Sequence, residues 1–217
     1  LLAFLFQLAQ FRIPIYQRRY SWTTTQCERL FKDIMQVGVK DSQNHFFGSI
    51  VAINPPGTTY AAVKKLEIID GQQRLTTVTL LLYALSKTVP GRTLQRTNEA
   101  AILDYLFNKN RQIQEDKQKL ILTYNDKETL DTLLNTGKLP KNPTQNIQVN
   151  YDYFTKKLTK LTDEEIDIFW IGVEKLHVAT IGLDITLGDD PQLIFETLNS
   201  TGLKLTMADL IRNFLLM

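Results

Sequence analysis

The chain is poor in the residues that build metal and redox centres. It has one cysteine, Cys27, and two histidines, His45 and His177, in 217 residues. A lone cysteine closes no intramolecular disulfide, and one Cys with two His supplies neither a Cys-rich zinc site nor a three-His catalytic one. The expected compartment is therefore reducing, that is, cytosolic. An excess of charge of one sign is also missing: 25 Lys and Arg stand against 23 Asp and Glu, a formal net charge of +2. No broad basic face is expected, and any phosphate recognition must be local. No apolar run is long enough to span a bilayer, since the longest candidate, residues 78–85, has the length of a core helix, and no membrane partner is expected. The patterns G-x-x-x-x-G-K-[ST], G-x-G-x-x-G, G-x-S-x-G and H-E-x-x-H are all absent. Their absence removes P-loop NTPases, dinucleotide-binding dehydrogenases, α/β-hydrolases and zinc peptidases.

What remains is an ordinary globular composition, 43% hydrophobic and 22% charged, which excludes wholesale disorder, coiled coil and collagen. At roughly 100–200 residues per domain, the length suits one domain with a large insertion or two small domains sharing an interface. Residues 11–22 alternate and contain Pro14, which predicts an extended segment such as an edge strand followed by a turn. Thr25-x-x-Glu28 reads as a capping box for a helix with Cys27, Leu30, Phe31, Ile34 and Met35 on one face, ending near Gly38. Residues 45–54 and 66–70 read as strands, and 72–87 as a helix apolar on most faces and hence buried. From residue 90 to 161 the composition turns to Asn, Gln, Lys and Thr, with helix patterns at 98–107, 127–135 and 147–161 and a short strand at 120–123. Thr162 caps a further helix, 177–184 is strand-like, and helices follow at 191–198 and after Thr206. The division expected is a core at 1–89, a helical insertion at 90–161 and a return to the core at 162–217. The first six residues read as a helix already under way, and the last helix pattern stops without a cap, as in a piece of a longer protein.

The sharpest chemical feature is Ile69-Asp70-Gly71-Gln72-Gln73-Arg74-Leu75, a strand ending in an acid, a glycine turn and a helix start. Free amides and the macrodipole make a helix N-terminus an anion site. Gly71 would let a phosphate come close to the backbone, Arg74 can reach it with a bidentate fork, and Asp70 suits Mg²⁺ held partly by phosphate oxygens. The plainer alternative makes Asp70 an N-cap and Arg74 a surface ion-pair partner. A second feature, Tyr16-Gln17-Arg18-Arg19-Tyr20-Ser21-Trp22, interleaves Arg with aromatics and suits a nucleotide or an unpaired base; its alternative is an edge strand whose Tyr20 and Trp22 enter the core. The third is Phe195-Glu-Thr-Leu-Asn199-Ser-Thr-Gly202 followed by Asp209-Leu-Ile-Arg212-Asn213. Capping accounts for Gly202 and Asp209, but not for polar Arg212 and Asn213 within an apolar helix. Cys27, on an amphipathic helix, reads as core.

Three blocks in order, Ile13-Pro-x-Tyr-Gln-Arg-x-Tyr-x-Trp22, then Phe47-Gly-Ser-Ile50 with Ile69-Asp-Gly-Gln-Gln-Arg-Leu-Thr-Thr77, then 195–202 with 208–213, resemble the N-terminal domain of GmrSD-type restriction endonucleases, enzymes directed at modified DNA. The resemblance implies an α+β, ParB/sulfiredoxin-like fold: a small mixed sheet flanked by helices. It also implies a nucleoside triphosphate and Mg²⁺ as cofactors. Asp70, Gln73 and Arg74 would serve catalysis, and Asp70 would bind the metal. Tyr16, Gln17, Arg18, Gly71, Gln72, Arg74, Asn199 and Arg212 would bind the nucleotide. Gln73 would orient the attacking water. The partners implied are NTP, modified double-stranded DNA engaged through the full-length protein, and a C-terminal His-Asn-His nuclease domain or subunit, in a bacterial or archaeal cytoplasm. Ile15 departs from the family pattern, which often has an acid there, and Thr201 departs where a basic residue is frequent. The competing expectation is a non-catalytic module that senses DNA modification through residues 16–22.

Overall fold

The computed structural model describes residues 1–40, 44–53, 63–109 and 116–183. In chain order the elements are α1 (Leu2–Phe6), β1 (Ala9–Arg12), α2 (Thr24–Val39), β2 (His45–Ile53), β3 (Lys64–Asp70), α3 (Gln72–Thr88), α4 (Glu99–Leu103), β4 (Leu120–Ile121), α5 (Tyr124–Thr136), α6 (Gln145–Leu158), α7 (Asp163–Glu174) and β5 (Leu176–Leu183). The strands form one mixed sheet in the order β4-β1-β3-β2-β5. β1 runs parallel to β3 and β4, β2 is antiparallel to β3, and β5 is parallel to β2. The expected α+β architecture, a small mixed sheet flanked by helices, is the one found.

β3 is the central strand, and its side chains alternate between two apolar layers as a pleated strand requires. Leu66 and Ile68 join the main core under the helices, while Ile69 joins Tyr16, Val51, Ile53 and Leu183 on the other face. α3 follows β3 directly and is buried along nearly its whole length, from Gln72 to Thr88, as its apolar run predicts. The helices of 90–161 are built into this same core: β4 extends the sheet, and Ile102, Leu130, Leu133, Ile147 and Phe154 share one cluster with Leu80 and Leu81 of α3.

Two expectations need correction. β1 is an interior strand, because partners from 64–70 and 120–121, far away in sequence, flank it on both sides. Pro14 lies beyond its end and so spares the ladder. α2 is capped two residues earlier than its sequence suggests: Thr23, in extended conformation, and Gln26 form the box, while Glu28 pairs with Lys32 at 2.7 Å. α2 ends at Val39, near Gly38 as its sequence suggests. A Cβ at Gly38 would lie 2.1 Å from the Ile168 carbonyl oxygen, and one at Gly172 would lie 2.0 Å from that of Ile34. These glycines are therefore contact points between α2 and α7. The α7 cap, Thr162 with Glu165, forms as its sequence predicts. The helices expected at 191–198 and after Thr206 lie outside the described residues.

Candidate functional site

β3 delivers Asp70 to the end of the sheet where its parallel neighbour β1, and β4 beyond it, also finish, the edge at which open sheets collect ligands. Gly71 then turns the chain with φ 99° and ψ 3°, a left-handed N-cap without a side-chain cap bond. A Cβ there would sit 3.0 Å from Ile50 Cγ1 and 3.1 Å from the Ser49 carbonyl oxygen. Backbone angle and the closeness of β2 both demand glycine, so β2, rather than a ligand, fills the space beside its α-carbon. The first amides of α3 lack intrahelical partners and point to this edge.

Arg74 is held from two sides. Its Nη1 donates to the Ser49 carbonyl at 2.7 Å and lies 3.4 Å from Asp70 Oδ2. The guanidinium crosses directly over Gly48, where a Cβ would come within 2.6 Å of Nε. Gly48 has φ 113° and sits where the register of β2 against β5 slips, between Phe46 and Gly48. Such a bulge re-aims neighbouring side chains. Asp70 and Arg74 remain partly accessible, at 27% and 26% of their side-chain surface, so the pair is loose and open to a ligand.

The loop at 13–23 is fastened across the same edge. Gln17, buried, donates from Nε2 to the Ile69 carbonyl at 2.8 Å. Gln73 is spent on the loop: its Oε1 accepts from the backbone N–H of Ser21 at 2.8 Å and of Trp22 at 3.2 Å, and its Nε2 donates to the Arg19 carbonyl at 3.1 Å. Its amide is therefore a clamp on the loop, with both its oxygen and its nitrogen engaged. Tyr16 is buried in the second apolar layer, where desolvation and then nearby Glu67 push its hydroxyl pKa far up. Tyr20 shares hydrogen bonds with Thr77 Oγ1 at 2.7 Å and Asn150 Nδ2 at 2.9 Å, and burial raises its pKa likewise. Gln72 is buried and makes no side-chain hydrogen bond among the described residues. Arg18 is half-buried and makes no ion pair among the described residues. Arg19 lies over the Tyr124 ring at 5.5 Å. Asn199 and Arg212 lie outside the described residues.

Next to Arg74 opens a cleft of about 260 Å³ between the start of α2 and β2, lined by Trp22, Arg29, Asp33, His45, Phe47 and Arg74 among others. Arg29 and Asp33 give no signal in the sequence, because one helical turn apart on the polar side of an amphipathic helix they read as a solvated face. Cys27, whose thiol burial pushes up to about 12, is core, as expected. No group of three or more His, Cys, Asp or Glu that would hold a metal occurs among the described residues. A cation here would rest on Asp70 plus ligand oxygens, the arrangement Mg²⁺ favours.

A family model for the N-terminal domain of GmrSD restriction endonucleases matches residues 2–216. The chain belongs to this family. A relative in Methanocaldococcus jannaschii, an uncharacterised protein, is 22% identical over 228 residues, a stretch that covers 92% of this chain and 38% of the relative. The chain thus spans well under half of that protein. In this GmrSD N-terminal domain the sequence blocks are physically tied to one another: Gln17 of the first holds Ile69 of the second, Gln73 of the second holds Arg19 to Trp22 of the first, and Arg74 needs Gly48 and Ser49. The block at 195–213 lies outside the described residues. No helix among the described residues is long and apolar enough to cross a membrane.

Proposed function

We propose that the junction of β3 and α3 binds the phosphates of a nucleoside triphosphate with Mg²⁺, and that hydrolysis there regulates a modification-dependent DNA restriction system. The observation that carries this reading is Arg74, laid across Gly48 and tethered to Ser49 at the amino end of α3, with Asp70 loosely paired beside it. Among the described residues only Nη1 of the guanidinium is engaged, which leaves donors for phosphate oxygens. Donors fixed in advance stabilise charge that develops during phosphoryl transfer. Asp70 would hold the cation or a water, and Mg²⁺, when bound, would supply charge neutralisation. Gln17 and Gln73 keep the loop in place and act as positioning residues. The whole protein would couple this domain to modified duplex DNA and to a His-Asn-His nuclease domain.

The alternative, a DNA-reading loop at 16–22, has less behind it, because Tyr16, Gln17 and Tyr20 are buried. Calorimetry with each of the four ribonucleoside triphosphates and Mg²⁺ tests the proposal. Wild type binds at least one of them, and Arg74→Ala weakens that binding by roughly tenfold or more, the size of a charge-assisted bond of ~1.5–3 kcal/mol. A wild-type chain that gives no binding heat with any of them refutes the reading.

A further inference from the structure

The cleft beside Arg74 has features that the phosphate site does not use. Trp22 and Phe47 stand edge to face, with centroids 6.2 Å apart and planes at 82°, so each offers ring surface to a planar guest. Both are partly exposed despite packing against the core. The bulge at Phe46 and Gly48 and the clamp from Gln73 to the Trp22 amide fix the two rings from separate elements. Behind them Asp33 lies 3.5 Å from His45 Nε2, a carboxylate held in place with accepting lone pairs to spare. Arg29, exposed, makes no ion pair among the described residues. Gln26, which also lines the cleft, is occupied by the α2 capping box. The volume, about 260 Å³, is close to the low end for ligand pockets, which run from roughly 300 Å³ upward. It suits part of a nucleotide rather than the whole.

We propose that this cleft is the nucleoside subsite of the domain. The base stacks on Trp22 or Phe47, Asp33 accepts a hydrogen bond from a sugar hydroxyl or a base N–H, and the phosphates run past Arg74 to the β3–α3 junction. The inference rests on the phosphate reading above and extends it. Aromatic stacking of a base is worth ~1–3 kcal/mol per base, enough to separate a nucleotide from its bare phosphate chain.

The test compares a nucleoside triphosphate that wild type binds with inorganic tripolyphosphate, both with Mg²⁺, on the 217-residue chain. Wild type binds the nucleotide about tenfold or more tightly than tripolyphosphate. Trp22→Leu and Phe47→Leu each shrink that ratio by roughly fivefold or more without changing tripolyphosphate affinity, and Asp33→Asn lowers nucleotide affinity alone. Arg74→Ala weakens both ligands. Trp22→Phe, which keeps a ring, retains most of the ratio and controls for folding. The chain has two tryptophans, and Trp170 is 3% exposed. Fluorescence quenching by nucleotide but not by tripolyphosphate, lost in Trp22→Phe, therefore reports on the cleft. Equal wild-type affinity for the two ligands, or a ratio unmoved by the Trp22 and Phe47 variants, overturns the subsite and leaves the phosphate reading standing. Binding of neither ligand overturns both.

Discussion

Replacing Gly48 by alanine would place a methyl group where the Arg74 guanidinium lies, at a backbone angle, φ 113°, that L side chains rarely adopt. The strain costs about 1–3 kcal/mol, and the guanidinium must leave Ser49. Gly48→Ala should therefore lower Tm and also lower nucleotide affinity toward that of Arg74→Ala, as read by melting and calorimetry; unchanged affinity would separate Gly48 from the arginine's function. Gln73→Leu leaves the N–H groups of Ser21 and Trp22 and the carbonyl of Arg19 without their partner. These bonds are only partly buried, so water takes over some of each and the cost is about 0.5–1.5 kcal/mol per bond. Faster amide exchange at Ser21 and Trp22 than in wild type is the expected signature, and unaltered exchange would mean that the loop is held by other means.

Helix α2 meets α7 through reciprocal glycines, each facing a main-chain carbonyl of the other helix. Gly172→Ala has no room beside the Ile34 carbonyl and should destabilise the fold by roughly 1–3 kcal/mol or more as the helices separate. Denaturant unfolding measures this loss, and phosphate affinity should hold, since neither glycine touches the β3–α3 junction. Much of this level was legible in the sequence. The buried α3, the Thr162 cap, the strand ending at Asp70 and the turn at Gly71 all follow from local pattern, because each is decided within a few neighbouring residues. The interior place of β1 and the true α2 cap were not, since distant partners decide them: 64–70 and 120–121 for the strand, and Gln73 holding the segment just before Thr23 for the cap. In the site, Arg74 and Asp70 stand out as motif residues. The duty of Gln73 as a clamp does not, because a glutamine's role depends on which backbone faces it. Arg29 and Asp33 remained hidden because only the bulged start of β2 turns their helix face into the wall of a cleft.

Buried titratable groups set the stability of the whole chain in alkaline solution. Lys119 donates to the carbonyls of Leu5 and Gln7, and desolvation lowers its pKa from 10.5 to about 8. The native state gives up this proton before the unfolded chain does, so stability rises with pH from about 8 upward. Cys27 works in the opposite direction: its pKa is raised from 9.0 to about 12, so its contribution is complete below pH 9 and is lost above it. Tyr83 and Tyr153, raised from 10.0 to about 12, add to that loss above pH 10. Urea unfolding should therefore show stability climbing between pH 8 and 9 and then turning over, and Lys119→Met should remove the climb; a climb that survives in the variant must come from another group. β1 and the loop behind it have a consequence for synthesis as well. They leave the ribosome before β4, α5 and α6, yet β1 waits for β4, and Tyr20 waits for Asp126 and Asn150. Until those residues emerge, the loop that carries Trp22 has nothing on its far side to hold it. Stalled nascent chains should accordingly protect this segment from protease only once residue 150 has cleared the exit tunnel, so the loop beside the β3–α3 junction matures later than its place in the chain suggests.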